Sequence, residues 1–214
     1  MRIRKEFARL EGIKSSRLIV IAAEGRCTEN IYFEAMKALL SASNVQVEVL
    51  KRDSNDSSPE NVYNQIHEFI TEYNIYDDDE LWVVVDRDKW EMKMLKGVAR
   101  YCIQNTNLHF CLSNPCFELW LLLHLEDVSR YGEEEKKKLS ANRKSSKHGT
   151  TYLKKQLKNL LGSYTESNYD AYSLLANINV AIDRAEILDL NPQDRWPQTI
   201  GTRAHLLAKS IMGK

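Results

Sequence analysis

Asp86 and Asp88 close the apolar run LWVVV at 81–85, one residue apart. On an extended chain residues i and i+2 share a side, so the two carboxylates point the same way at a strand end. Like charges so placed repel unless a cation lies between them. Glu24, followed by Gly25, stands in the same relation to the earlier run RLIVIAA at 17–23. Carboxylates gathered at strand ends offer hard oxygen donors, which suit Mg²⁺ or Mn²⁺ rather than zinc. An ion held there with open positions can polarise a phosphodiester and lower the pKa of a bound water. Taken singly, a Glu-Gly reads as a turn and an Asp-Arg-Asp as a solvated loop. The acidic DDDE at 77–80 precedes its strand and reads as solvated loop too.

The elements must bring these groups together. RLIVIAA has the composition of a strand buried on both faces. Thr28 is an N-cap candidate for a helix through ENIYFEAMKALL, and VQVEVL at 45–50 alternates as a strand does. KRDSNDSS at 51–58 is a polar loop in which Ser58 has a capping role. Pro59 opens a helix carrying Val62, Ile66, Phe69 and Ile70. After the strand at 81–85 come a helix over 90–105, a strand at 108–112 and an apolar helix over 115–125. Alternation of this kind predicts an α/β fold with a four-stranded, largely parallel sheet flanked by helices. In such sheets functional groups collect beyond the C-terminal strand ends. Beyond 126 no strand is evident, and helices are expected at 152–161, 170–188 and 201–212. The expected organisation is a basic N-terminal arm over 1–15, an α/β core over 16–125 and a helical C-terminal subdomain over 126–214.

At 214 residues, 43% of them apolar, the chain can bury a core. Its 30 basic and 30 acidic residues cancel, so charge informs only through its distribution. From Lys136 to Lys158 nine basic residues occur with no acidic one. The preceding EEE at 133–135 offers local partners to Lys136, Lys137 and Lys138. Arg143, Lys144, Lys147, Lys154 and Lys155 have none nearby in sequence and are the candidates for holding nucleic-acid phosphates. Arg2, Arg4, Lys5, Arg9, Lys14 and Arg17 form a second basic patch. Cys27, Cys102, Cys111 and Cys116 form no CxxC pair and read as reduced thiols of a cytoplasmic protein without a zinc site. The longest apolar stretch, LWLLLHL at 119–125, is too short to span a bilayer. His124 reads as a satisfied helix-terminal histidine, and Tyr32 and Phe33 as core. There is no P-loop, no GxGxxG and no Ser-His-Asp order.

AAEGRCTENIYFEAMK, followed at a distance by WVVVDRDK, resembles the Toprim domain, a Rossmann-like metal-dependent fold of topoisomerases, primases and several nucleases. Within that group the chain is similar to the RloB-like family through EGRCTENIYFEAMK, VVVDRDK, LSNPCFELWLLLHL and AIDRAEILDLNPQ with PQTIGTRAHLLAKSI. The resemblance spans nearly the whole chain. It implies a Mg²⁺- or Mn²⁺-dependent nuclease of anti-phage and restriction-associated loci, cleaving DNA or RNA (tRNA included), beside an ABC- or AAA-type ATPase partner. It implies Glu24 as general base or metal ligand and Asp86 and Asp88 as metal ligands. Glu118 in NPCFELW matches a further acidic position of the family, a fourth ligand or else a carboxylate paired by a buried cation or hydroxyl. Dimerisation is a family-level expectation. The loop after the second strand lacks a glycine the family often carries there, which weakens any phosphate role for Ser57 or Ser58. It leaves Asp53 and Asp56 as alternative acidic ligands. The other class of function is a non-catalytic subunit that binds nucleic acid or the ATPase.

Overall fold

The structure is a computed structural model and describes residues 4–9, 16–52, 56–88 and 90–214. In chain order it forms β1 (Arg17–Ala23), α1 (Thr28–Leu40), β2 (Val45–Val49), α2 (Pro59–Glu72), β3 (Glu80–Asp86), α3 (Met92–Ile103) and β4 (Leu108–Asn114). Then follow α4 (Glu118–Leu123), a 3₁₀ turn (Val128–Arg130), α5 (Glu133–Ala141), α6 (Tyr152–Leu161), α7 (Ala171–Leu175), α8 (Ile178–Leu188), β5 (Gly201–Thr202) and α9 (Ala204–Ile211). The sheet order is β2-β1-β3-β4-β5. β1 runs parallel to β2 and β3, and β4 is antiparallel to β5. The fold is therefore α/β with a mostly parallel sheet, five-stranded rather than four. β5 escapes sequence reading because two residues, Gly201 and Thr202, carry no periodicity.

The chain divides into two compact units. One holds Met1–Val85, Trp90–Phe110 and Lys209–Lys214; the other holds Asp86–Lys89 and Cys111–Ala208.

In the first unit β1, paired on both sides, is buried on both faces, with Leu18 to Ala22 fully inaccessible, as its unbroken apolar run requires. β2 buries Val45, Val47 and Val49 and leaves Gln46 and Glu48 half-exposed, the alternation of a strand at the sheet's edge. Ser58 caps α2, its Oγ accepting from the Asn61 N–H at 3.3 Å, and Pro59 occupies the first turn. α1 starts at Thr28, but Cys27 holds the N-cap position without a side-chain cap bond, so Thr28 is not the cap. Tyr32 and Phe33 are core.

Residues 4–9 of the basic arm lie along the end of α2. The Lys5 N–H donates to the Glu72 carbonyl, the Asn74 N–H donates to the Lys5 carbonyl, and Phe7 packs on Phe69 and Tyr73. Three of the patch's charges are committed to carboxylates, Lys5 to Glu72, Arg9 to Asp79 and, in β1, Arg17 to Glu80, while Arg4 is exposed. Arg2 and Lys14 lie outside the described residues.

In the DDDE stretch Asp77 and Asp78 are exposed, as a solvated loop requires, but Asp79 corrects that reading. The Asp79 side chain is wholly buried, takes Arg9 through both oxygens at 2.7 and 2.5 Å, and accepts the Leu18 and Tyr76 N–H groups. Burial works against its charge, and these four donors together outweigh burial and hold its pKa below the ordinary value.

In the second unit the expected helix over 115–125 is shorter, Glu118–Leu123, and all six of its residues are buried. The expected helix over 170–188 is broken at 176–177 into α7 and α8. α8 packs against α4 and the 3₁₀ turn, and α4 packs against α6. Among the described residues no helix is long and apolar enough to cross a membrane.

Candidate functional site

Asp86 is the last residue of β3, and the chain turns immediately after it. The Arg87 N–H donates to the Ser113 carbonyl at 2.9 Å, and the Asp88 N–H donates to the Pro115 carbonyl at 3.0 Å. Asp86 returns the favour from its side chain, Oδ1 accepting the Phe117 N–H at 2.8 Å. The turns 86–88 and 113–117 are thus laced by backbone groups, which gives the Asp86 carboxylate a defined orientation. The i, i+2 alternation ends with the strand, so Asp88 is exposed on the turn while Asp86 is half-buried.

Asp86, Cys116 and Glu118 each offer one donor atom within 4.8 Å of the others. Glu118 opens α4 and is 6% exposed, and Cys116 is 4% exposed. Cys116 is the member that sequence reading missed, since a lone cysteine in an apolar stretch reads as packing. Burial first, then the Glu118 and Asp86 charges, push its thiol well above the ordinary value. It therefore stays protonated, and the ionic donors here are the two carboxylates.

Glu118 has a partly buried cation and a hydroxyl beside it, the kind of pairing that the sequence left as its alternative to metal ligation. Lys154 Nζ lies 3.6 Å from Glu118 Oε1, and the Tyr164 hydroxyl donates to the same oxygen at 3.4 Å. Lys154 also binds Glu166. Burial works against its ammonium, but Glu118 and Glu166 outweigh this and raise its pKa. Asp86, Glu118 and Glu166 share the single ammonium of Lys154, so the group is net negative. Its ionic oxygens are of the hard type that Mg²⁺ or Mn²⁺ takes, so these residues fit such an ion.

Glu24 belongs to the first unit. Its N–H donates to the Val84 carbonyl at 2.9 Å, its carbonyl accepts from Arg52, and its Oε2 accepts from the Trp90 indole N–H at 2.8 Å. Glu24 is buried, 7% exposed. The Gly25 N–H donates to Glu29 Oε1 at 3.0 Å, and a Cβ on Gly25 would meet that carboxylate and displace it. Trp90 went unnoticed in the sequence because its contact with Glu24 forms only when a distant segment folds back, whereas Glu29 is local and reads as an ordinary first-turn helix acid. Asp53 lies outside the described residues. Asp56 accepts from the Ser58 N–H at 3.0 Å, ahead of the α2 cap.

The basic stretch divides in two. Arg143, Lys144, Lys147 and Lys155 are exposed. Lys154 points inward to Glu118 and Glu166 and is not part of that solvent-facing set. The segment between α5 and α6 is closed on itself: Lys144 bridges Thr151, and the Ser145 N–H donates to the Thr150 carbonyl at 3.3 Å. Of the three lysines assigned to local pairing, Lys137 meets Glu134 at 3.8 Å. Lys138 faces a cavity instead. Arg203 is buried against Asp189, and Arg184 donates to the Leu123 carbonyl, so neither reaches out for phosphate.

A family model described as RloB-like protein matches residues 19–211. No curated protein and no solved structure matches the chain.

Proposed function

The chain belongs to the RloB-like protein family, and we propose that it is a divalent-metal-dependent nuclease with a Toprim-like core. The observation that carries this reading is the net-negative group of Asp86 and Glu118 around a protonated Cys116, in the same unit as a stretch of exposed cations. Asp86 and Glu118, with Asp88 on the adjoining turn, would hold Mg²⁺ or Mn²⁺. The ion, when bound, supplies Lewis acidity toward a phosphodiester oxygen and a more acidic water.

The remaining work falls to side chains. The Phe117 N–H holds one Asp86 oxygen and so aims the other. Lys154 neutralises Glu118 and can shift its proton donors toward a phosphate oxygen. Arg143, Lys144, Lys147 and Lys155 hold the backbone of the strand. Glu24 takes its role, orienting or deprotonating water, from the family resemblance, and its hydrogen bond from Trp90 restrains its rotamer. The free thiols agree with a cytoplasmic setting. The ATPase partner and the role in anti-phage defence rest on the resemblance alone.

The test is cleavage of mixed DNA and total tRNA with Mg²⁺ or Mn²⁺. Wild type should cut one class, and Asp86→Ala and Glu24→Gln should lose more than about a hundredfold, since changes even to outer-sphere groups reach that size. Cleavage that survives both changes overturns the assignment. An inert wild type, with a co-encoded ATPase present, points to the non-catalytic subunit.

A further inference from the structure

Lys137, Lys138 and Arg143 line a cavity of about 360 Å³ together with Glu134, Ala141 and Tyr152. We propose that this cavity seats one unpaired nucleotide of a nucleic-acid strand, its phosphate on the cations and its base on the Tyr152 ring. The inference rests on the nucleic-acid reading above and names where in the second unit the strand is gripped.

Charge is the first ground. Glu134 offsets Lys137 at 3.8 Å, while among the described residues Lys138 and Arg143 have no carboxylate within ion-pair distance. Two uncompensated cations at the mouth of one cavity suit a phosphodiester. The aromatic wall is the second. Tyr152 is half-buried, and stacking on such a ring tolerates any base but requires that the base be unpaired. The volume lies at the small end of ligand cavities, roughly 300–1,000 Å³, and suits a single unit of a strand.

The third ground is how the walls are fixed. Leu139 of α5 and Leu153 of α6 are fully buried, so the two helices that carry the cavity are held by apolar contact. Asn142 ends α5 in the left-handed region at φ 38°, a conformation asparagine tolerates. Its Oδ1 accepts the Leu153 N–H at 3.0 Å, and its Nδ2 donates to Cys116 Sγ at 3.3 Å. One residue therefore joins the cavity edge, at Arg143, to the group of Asp86, Cys116 and Glu118. On α6, Tyr152 lines the cavity while Lys154, two positions on, turns to Glu118. A nucleotide in the cavity is thus anchored on the same helix that supplies Lys154 to Glu118.

The experiment measures binding without metal, so that it does not depend on cleavage. A labelled short single strand, its duplex form and a free mononucleotide are titrated by fluorescence anisotropy or competition. Wild type should bind the single strand more tightly than the duplex and far more tightly than the mononucleotide. Lys138→Glu with Arg143→Glu should weaken strand binding at least tenfold and flatten the salt dependence by about 1.4 in log–log slope, as two lost phosphate contacts require. Tyr152→Ala should cost roughly 5- to 150-fold, and Tyr152→Phe should bind like wild type. An inert but cavity-dependent binder supports the proposal while the nuclease reading falls. Cavity variants that bind as wild type with an unchanged salt slope overturn it and leave the nuclease reading standing. Equal affinity for the free mononucleotide, or no strand binding at all, also overturns it.

Discussion

His124 lies at the end of α4, 2% exposed, with its Nδ1 2.9 Å from the Trp120 carbonyl oxygen and its ring edge-on to Trp120. Burial lowers its pKa to about 4; the Trp120 and Leu121 carbonyls oppose the shift and Arg184 adds to it. The folded state therefore favours the neutral ring, and the unfolded chain takes up the proton first. Its stabilising contribution is complete above about pH 6.5 and is lost as pH falls toward about 4, to a total of order 3 kcal/mol. Denaturant titrations between about pH 7 and about pH 4.5 should show His124→Leu with a flatter pH dependence than wild type. Parallel curves for the two proteins would remove His124 as the source. The same side chain illustrates why a histidine near a candidate acidic residue is not a catalyst by proximity: its proton-bearing form is excluded by the packing.

The strap formed by residues 4–9 shows how one element is held by unequal contacts. The Lys5–Glu72 pair is exposed on both sides, and such pairs contribute about 0–1 kcal/mol. Asp79 is wholly buried and receives Arg9, itself mostly covered and stacked on Tyr76 at 4.4 Å, plus two backbone N–H groups. Asp79→Ala should cost about 3–5 kcal/mol at neutral pH, because it orphans a covered guanidinium and two donors, whereas Lys5→Ala should cost under about 1 kcal/mol. The folded pKa of Asp79 is depressed, so its contribution is present above about pH 3.8 and is lost as pH falls through the lower folded value. Urea unfolding of the two variants decides this; equal losses would show that the strap is held by its apolar residues. The β3 strand that Asp79 precedes ends at Asp86, so this clasp fixes the start of the strand that carries Asp86.

For the molecule as a whole, a resident ion is a linkage question. An ion that binds only the folded chain raises stability by about 2.7 kcal/mol at a hundred times its dissociation constant. Mg²⁺ or Mn²⁺ titration should therefore raise the melting temperature of wild type, and the rise should vanish in Asp86→Ala and shrink in Glu118→Gln. Lys154→Met should enlarge it, since the ammonium beside Glu118 no longer competes for the same oxygens. Indifference of wild type to both ions would remove the ion from the proposed function.

The amino-acid sequence by itself determined the alternating α/β order, the both-face burial of β1 and the cap of α2, because these depend on periodicity and on neighbours a few residues away. It also marked Asp86 and Glu118, which stand where apolar runs stop or are interrupted. Tertiary structure alone decided their company. Lys154 reaches Glu118 only through the packing of α6 on α4, Asp86 meets the Cys116–Glu118 segment only through the bonds between the turns 86–88 and 113–117, and Asn142 bridges Cys116 to Leu153. Asp79 becomes a buried hub, not a solvated loop, because a strap from the chain's start brings it Arg9. Local pattern states which face of an element is apolar; which charge meets which is set by contacts between segments far apart in sequence, where no periodicity extends.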